Sequence, residues 1–372
     1  MKVVVFCHSL ISDWNHGNAH FLRGVASELI ERGHEVAIFE PEDAWSLQNL
    51  IHDHGEVPVQ GFHQAYPNLS SVRFRSDRLD LTDALAGAEL VIVHEWNEPD
   101  LVARLGKHRR EDGEYLLLFH DTHHRSVSQP DAMAAYDLAG YDGVLAFGRI
   151  IRDLYLRNGW ARKAWVWHEA ADTRIFQPIL SPEKEGDVVW IGNWGDEERT
   201  AELHEFLLSP IRELGLKAKV YGVRYPPNAI DALERHGIEY GGYLPNYRVP
   251  EVFSRYSLTV HVPRRPYVES LPGIPTIRPF ESMACGIPLV CSPWHDSEHL
   301  FSPGQDYLIA NDGEEMKAHM RMLLEKPARG LELAEHARQT ILSRHTCRHR
   351  VDQLLDIVRQ ETSQVSGLEV GV

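Results

Sequence analysis

The sequence predicts an α/β protein built from two Rossmann-like halves, each a doubly wound parallel sheet. Three observations predict it. The chain has 372 residues, more than one ordinary core accommodates. Short apolar strands alternate with amphipathic helices from Val3 onward, and the same pattern restarts near Trp165. The strand–loop–helix–strand order requires parallel pairing through right-handed crossovers. Such sheets bind ligands outside the carboxyl ends of their strands, which places the expected site in a central cleft faced by both halves.

Val3–Cys7 is the first predicted strand. A polar loop from His8 to Asn18 follows, then a helix carrying Phe21, Leu22, Val25, Leu29 and Ile30 at helical spacing. Gly33 stops that helix and Glu35–Phe39 is the second strand. Leu90–Val93, Tyr115–Phe119 and Gly143–Ala146 are further strands, while residues 52–80 have no clear period and read as an irregular excursion. In the second half, Asp187–Ile191, Lys217–Tyr221, Leu258–Val262, Pro288–Cys291 and Tyr307–Ala310 are strands. Helices are predicted from about Glu198 to Leu214, at Phe280, and from Gly313 onward, the last over Cys347–Gln360. The predicted domains are 1–172, 173–345 and a closing segment 346–372, a helix returning to the first half with a polar, frayed end from Thr362.

Composition narrows the function. The net charge of −16, from 54 acidic against 38 basic residues, repels polyanions and argues against nucleic acid or an anionic membrane as partner. Cys7, Cys285, Cys291 and Cys347 lie among apolar residues without CxxC spacing, as expected of reduced thiols in a cytoplasmic protein. No apolar run reaches the roughly 20 residues that cross a bilayer, and the opening apolar run is too short for a signal peptide.

Five strand-end loops carry the candidate chemistry. His16-Gly17-Asn18 follows the first strand; Gly17 permits close backbone approach and Asn18 is placed to cap the helix, although the segment also reads as a plain turn. It is not GxGxxG, so the dinucleotide fingerprint is absent. His120 and Asp121, in Phe119–His124, are the candidate catalytic pair because they stand at a strand's carboxyl end; a capped polar loop is the alternative. Gly192-Asn193, with Arg199 six residues on, repeats the strand–loop–helix arrangement, and Arg199 reads equally as a phosphate ligand or as an exposed helix residue. Arg264 follows another strand and reads as a phosphate ligand or as solvated surface. Trp96 is one of several loop tryptophans able to stack on a base or sugar, or simply to pack. The fifth loop, Gly273-Ile274-Pro275-Thr276, leads into a helix carrying Arg278 and Glu281. A helix N-terminus seats a phosphate, and a neighbouring carboxylate accepts hydrogen bonds from ribose hydroxyls. No two aspartates are separated by one residue, so a bound diphosphate is expected to be neutralised by arginines and a helix N-terminus, with no metal.

The run Glu281-Ser282-Met283-Ala284-Cys285-Gly286-Ile287-Pro288-Leu289-Val290 resembles the "E-A-M-A-C-G-x-P-V" signature of retaining glycosyltransferases of the GT-B fold, the E-x7-E group. His168–Pro178 resembles the linker between their two domains. Gly242–Arg255, Leu258–Val262, Gly192-Asn193 and Arg199 resemble the spore-maturation-protein-like (CgeB-like) branch. The resemblance implies hexosyl transfer from a nucleoside-diphosphate sugar, as co-substrate, to an acceptor hydroxyl, with retention and no cofactor. It implies a donor-binding second half, with Glu281 on the ribose and Gly192, Asn193, Arg199, Arg264, Arg278 and 273–276 around the diphosphate. The first half would bind acceptor through His16, Gly17, Asn18, Trp96, His120 and Asp121. The family's first glutamate is replaced by Gly273, so the resemblance leaves the sugar open. A nucleotide-sugar epimerase or a non-catalytic nucleotide-sugar-binding protein are the alternatives on the same fold.

Overall fold

The computed structural model describes residues 1–180, 183–195 and 197–368, with backbone alone over 364–368; Asp196 of the Gly192 loop and the end of the tail lie outside the described residues. The chain divides into two units: Met1–Glu169 together with the helix that begins at Cys347, and Ala170–Thr346.

Unit 1 is a seven-stranded sheet of β1 (Lys2–Phe6), β2 (Glu35–Pro41), β3 (Val72–Phe74), β4 (Leu90–His94), β5 (Leu116–Asp121), β6 (Gly143–Ala146) and β7 (Ala164–Val166), in the order β3-β2-β1-β4-β5-β6-β7. Every pairing is parallel. The central strands are apolar on both faces because helices cover both. Val3, Val4, Phe6, Leu90, Val91, Leu117, Leu118 and Phe119 are fully buried. Residues 52–80 are more regular than expected: Trp45–His54 and Val57–Ala65 are helices and β3 lies beyond them. Gly55, with φ +65°, breaks the two helices apart and hides their shared period.

The last helix, Cys347–Leu368, packs in unit 1 and extends past the expected fraying point. It buries Val351, Leu354 and Ile357, and polar bonds fix its first turn. Buried Arg350 donates to the carbonyls of His168 (2.8 Å) and Glu169 (3.3 Å), and the indole of Trp167 donates to the Arg350 carbonyl at 2.8 Å.

Unit 2 is a six-stranded parallel sheet of β8 (Gly186–Ile191), β9 (Ala218–Tyr221), β10 (Glu239–Tyr240), β11 (Tyr256–His261), β12 (Leu289–Cys291) and β13 (Leu308–Ile309), in the order β10-β9-β8-β11-β12-β13. Alternate residues feed two cores. Val188 and Trp190 face one with Val220, Leu258 and Val260; Val189 and Ile191 face the other with Phe280, Met283 and Leu289. The helix expected over 198–214 is interrupted by a π turn at His204–Leu208.

In both units the strand order reverses direction once, between β1 and β4 and between β8 and β11. Those switch points are where adjacent loops diverge and leave room for a ligand.

Candidate functional site

In unit 2 the switch-point loops are 192–199, after β8, and 262–264, after β11. Gly192 is bracketed by backbone bonds: its N–H donates to Tyr221 (2.8 Å) and its carbonyl accepts from the Tyr225 hydroxyl (2.8 Å). The Asn193 side-chain oxygen accepts from the Val223 N–H at 2.8 Å. Arg199 lies over the Trp190 ring, 5.1 Å from its centroid, and its two terminal nitrogens donate to the carbonyls of Val262 (2.7 Å) and Asn193 (2.5 Å). It therefore ties the two loops together. Burial, then the fields of Arg264 and Arg278, push its pKa down to about 9. His261, at the end of β11, is pushed to about 3 by burial and the same Arg199 and Arg278. Arg264 pairs with Glu198 at 2.9 Å.

The loop 273–276 leads into the helix Ile277–Cys285, whose apolar Ile277, Phe280, Met283 and Ala284 bury it and which Gly286 ends in a left-handed turn of φ +69°. Thr276 precedes the helix without capping it, so its first-turn N–H groups receive no bond from that side chain. Pro275 and Ile274 are buried. Glu281 is fully buried; Asn246 donates to it at 2.6 Å and Arg278 forms an ion pair with it. Gly273 has φ +89°, and a Cβ there would lie 2.5 Å from the Ser297 Oγ and 2.7 Å from the Glu298 Cγ. A side chain there would be strained and would crowd Ser297 and Glu298, so the position favours glycine.

In unit 1 the loops after β1, β4 and β5 gather imidazoles. His8, His16, His94 and His120 form a row of edge-to-face rings with centroids 5.4, 6.1 and 5.4 Å apart. All four are buried and driven below the usual imidazole range by burial, His8 to about 4 and His120 to about 3, so they are neutral at neutral pH. Nε2 of His16 and of His120 have no hydrogen-bond partner among the described residues. Gly17 is exposed. Asn18 does not cap the following helix as expected: its amide donates to Glu169 at 3.2 Å, because its backbone is already helical and turns the side chain away from the free N–H groups.

Asp121 accepts from the Tyr155 hydroxyl (2.9 Å) and the His123 N–H (3.1 Å). Burial raises its pKa to about 6. Beside it stands Glu95, fully buried, accepting from the Thr122 N–H at 2.8 Å and raised well above the usual carboxyl range by burial and by Asp121. Sequence reasoning missed Glu95. The signal was the register, since His94 of β4 pairs with His120 of β5 and so brings the next residues together. Trp96 is half-buried, with Arg125 4.7 Å from its ring centroid. Among the described residues no group of three or more His, Cys, Asp or Glu has the geometry to hold a metal, and no helix is long and apolar enough to cross a membrane.

Comparison with known proteins places the fold. The model of a family described as glycosyl transferase-like matches residues 199–356. No curated protein matches the chain. Among solved structures, sucrose-phosphate synthase from Thermosynechococcus elongatus superposes with a TM-score of 0.68 at 14% identity, over 98% of this chain and 100% of that one. Anabaena HepE in complex with UDP and glucose gives 0.67 at 13% identity, over 96% and 99%. An alpha-glucosyltransferase in complex with UDP and a 13-mer DNA gives 0.69 at 13% identity, over 96% and 99%. The two parallel-sheet units together form the GT-B glycosyltransferase fold.

Proposed function

We propose that the chain is a glycosyltransferase that moves a sugar, of hexosyl type, from a nucleoside-diphosphate sugar to an acceptor hydroxyl, with retention and without a metal. One observation carries the reading. Three guanidiniums gather at the strand ends of unit 2, where Arg264 and Arg278 lie close enough to add a positive potential at buried Arg199, and Arg199 and Arg278 at buried His261, beside the larger effect of burial. A diphosphate would neutralise that potential, helped by the uncapped helix start at Ile277. The UDP bound by HepE and by the alpha-glucosyltransferase supports a uridine diphosphate leaving group. In this reading Glu281, oriented by Asn246 and Arg278, takes the ribose hydroxyls. The departing phosphate accepts the acceptor's proton on the same face, so the protein's work is positioning and charge stabilisation. Neutral His16 and His120 carry ring nitrogens, unpartnered among the described residues, for acceptor hydroxyls. Asp121, raised only to about 6, is ionised at neutral pH beside Glu95, whose carboxyl is raised well above its usual range. The retaining E-x7-E assignment and the CgeB-like branch rest on the Glu281–Val290 run.

The four cysteines are buried free thiols, which suits a reducing compartment such as the cytoplasm. The net charge of −16 argues against a nucleic-acid acceptor. A thermal-shift series with nucleoside diphosphates, followed by product analysis with UDP-sugars, tests the reading, because a ligand of the folded state raises Tm. Stabilisation by UDP and an α-linked product from an α-linked donor are expected. No response to any nucleotide sinks the proposal; conversion of donor without acceptor makes the chain an epimerase, and binding without turnover makes it a binding protein.

A further inference from the structure

Unit 1 contains a cavity of about 1050 Å³ at the carboxyl ends of β1 to β4, walled by the loops after β2, β3 and β4 and by the segment 125–136. That is just above the ~300–1,000 Å³ range of sites that enclose a small molecule, with room for more than one sugar ring. Of the residues considered above, His8, Trp96 and Arg125 reach it.

Its lining has a definite chemistry. Two half-buried indoles, Trp45 and Trp96, belong to different walls. Arg75 is neutralised by Asp77 through paired bonds of 3.1 and 3.0 Å, and Arg125 is laid on Trp96 with a bond to the Glu95 carbonyl at 3.3 Å. Glu42, Asp43 and Glu98 are exposed carboxylates with no ion pair or side-chain hydrogen bond among the described residues. Once the Arg75–Asp77 pair cancels, three carboxylates face one guanidinium. Asn97, only 2% exposed, stands in the wall with both amide bonds donated to the Phe6 and His94 carbonyls, at 2.9 and 2.8 Å, while its Oδ1 accepts no bond among the described residues.

Aromatic faces present negative π density to the C–H face of a pyranose ring, and free carboxylates accept hydroxyl hydrogen bonds around it. The same carboxylates repel a phosphate or carboxylate on the ligand. We propose that this cavity binds an uncharged carbohydrate, and hence that the acceptor is a neutral sugar-bearing molecule rather than a phosphorylated or acidic one. The acceptor clause rests on the glycosyltransferase reading; the binding clause does not.

The test is an array of neutral, amine-bearing and anionic glycans probed with the full chain in the presence of UDP, with UDP affinity measured separately by calorimetry. Retention of neutral glycans is expected, with Trp45→Ala and Trp96→Ala each weakening it about tenfold or more. The double variant Asp43→Lys/Glu98→Lys changes exposed positions only, so it keeps the fold, and it is expected to move preference at least tenfold toward anionic glycans. Retention of only anionic or only amine-bearing glycans, of none, or of neutral glycans undiminished in both folded tryptophan variants overturns the proposal. If either tryptophan variant unfolds, the charge-reversed chain decides: an unchanged preference overturns it. Neutral-glycan binding by a chain that ignores UDP leaves the cavity assignment standing and removes the donor reading. UDP binding without neutral-glycan binding does the reverse.

Discussion

Replacing Glu281 tests whether one carboxylate serves both fold and ligand. The side chain is fully buried, with Asn246 donating at 2.6 Å and Arg278 as its ion-pair partner. Glu281→Ala removes the acceptor of both bonds and leaves a void beside Asn246 and Arg278. Breaking a buried pair by deleting one partner costs about 3–5 kcal/mol. The Arg278 side chain keeps 19% exposure and relaxes toward water, so the expected cost is near the lower end, about 3 kcal/mol. A unit of this size shifts by about 2–4 °C per kcal/mol, giving a fall of roughly 6–12 °C in the unit 2 transition. Glu281→Gln preserves the shape and an acceptor for Asn246, and is expected to lose about half as much while weakening nucleotide binding. Calorimetry reports the transition, and hydrogen exchange over Ile277–Cys285 assigns it. An unchanged transition in Glu281→Ala would refute the structural role; parental UDP affinity in folded Glu281→Gln would refute the ribose role. Alanine is thus a poor probe of donor binding here, because it mixes the two effects.

Other expectations follow from the same reasoning. The folded Glu95–Asp121 pair keeps protons that the unfolded chain releases, since Asp121 titrates near 6 instead of 3.8; its contribution to stability is full below about pH 4 and lost as pH rises through 6. Asp121→Asn removes that term, so denaturant titrations should show the variant gaining on the parent by about 2–3 kcal/mol between pH 4 and pH 7; parallel pH profiles would sink the idea. Arg350→Ala strips the bonds to the His168 and Glu169 carbonyls and is expected to destabilise unit 1 by about 2–4 kcal/mol, read by calorimetry; an unmoved transition contradicts it. Gly273→Glu, which supplies the acid expected from the family pattern, should destabilise unit 2 and gain no transferase activity, because φ is +89° and Ser297 and Glu298 fill the space. A stable, more active variant would show that the loop rearranges.

The central strands were legible because parallel sheets bury both faces and leave apolar runs such as Leu90–Val93 and Gly143–Ala146. The edges were not. β3 has two exposed residues of three, β7 is half-buried throughout and β10 is two exposed residues, so none carries an apolar run. The strand-end loops could be picked out by position alone, but their internal wiring could not. Asn246 reaches Glu281 from 35 residues away, and Arg199, read as either a phosphate ligand or a surface residue, spends its terminal donors on two loop carbonyls. Contacts of that separation depend on how the loops pack, which local pattern does not encode.

The placement of Cys347 onward in unit 1 sets an order of assembly. Unit 2 is one continuous stretch, Ala170–Thr346, whereas unit 1 stays unfinished until the ribosome has released the segment bearing Arg350. On a growing polypeptide the earlier half therefore cannot be completed until the later half has been made. The earlier half waits with Trp167 lacking its partner carbonyl, a window in which chaperones or proteases have their best access to the nascent protein.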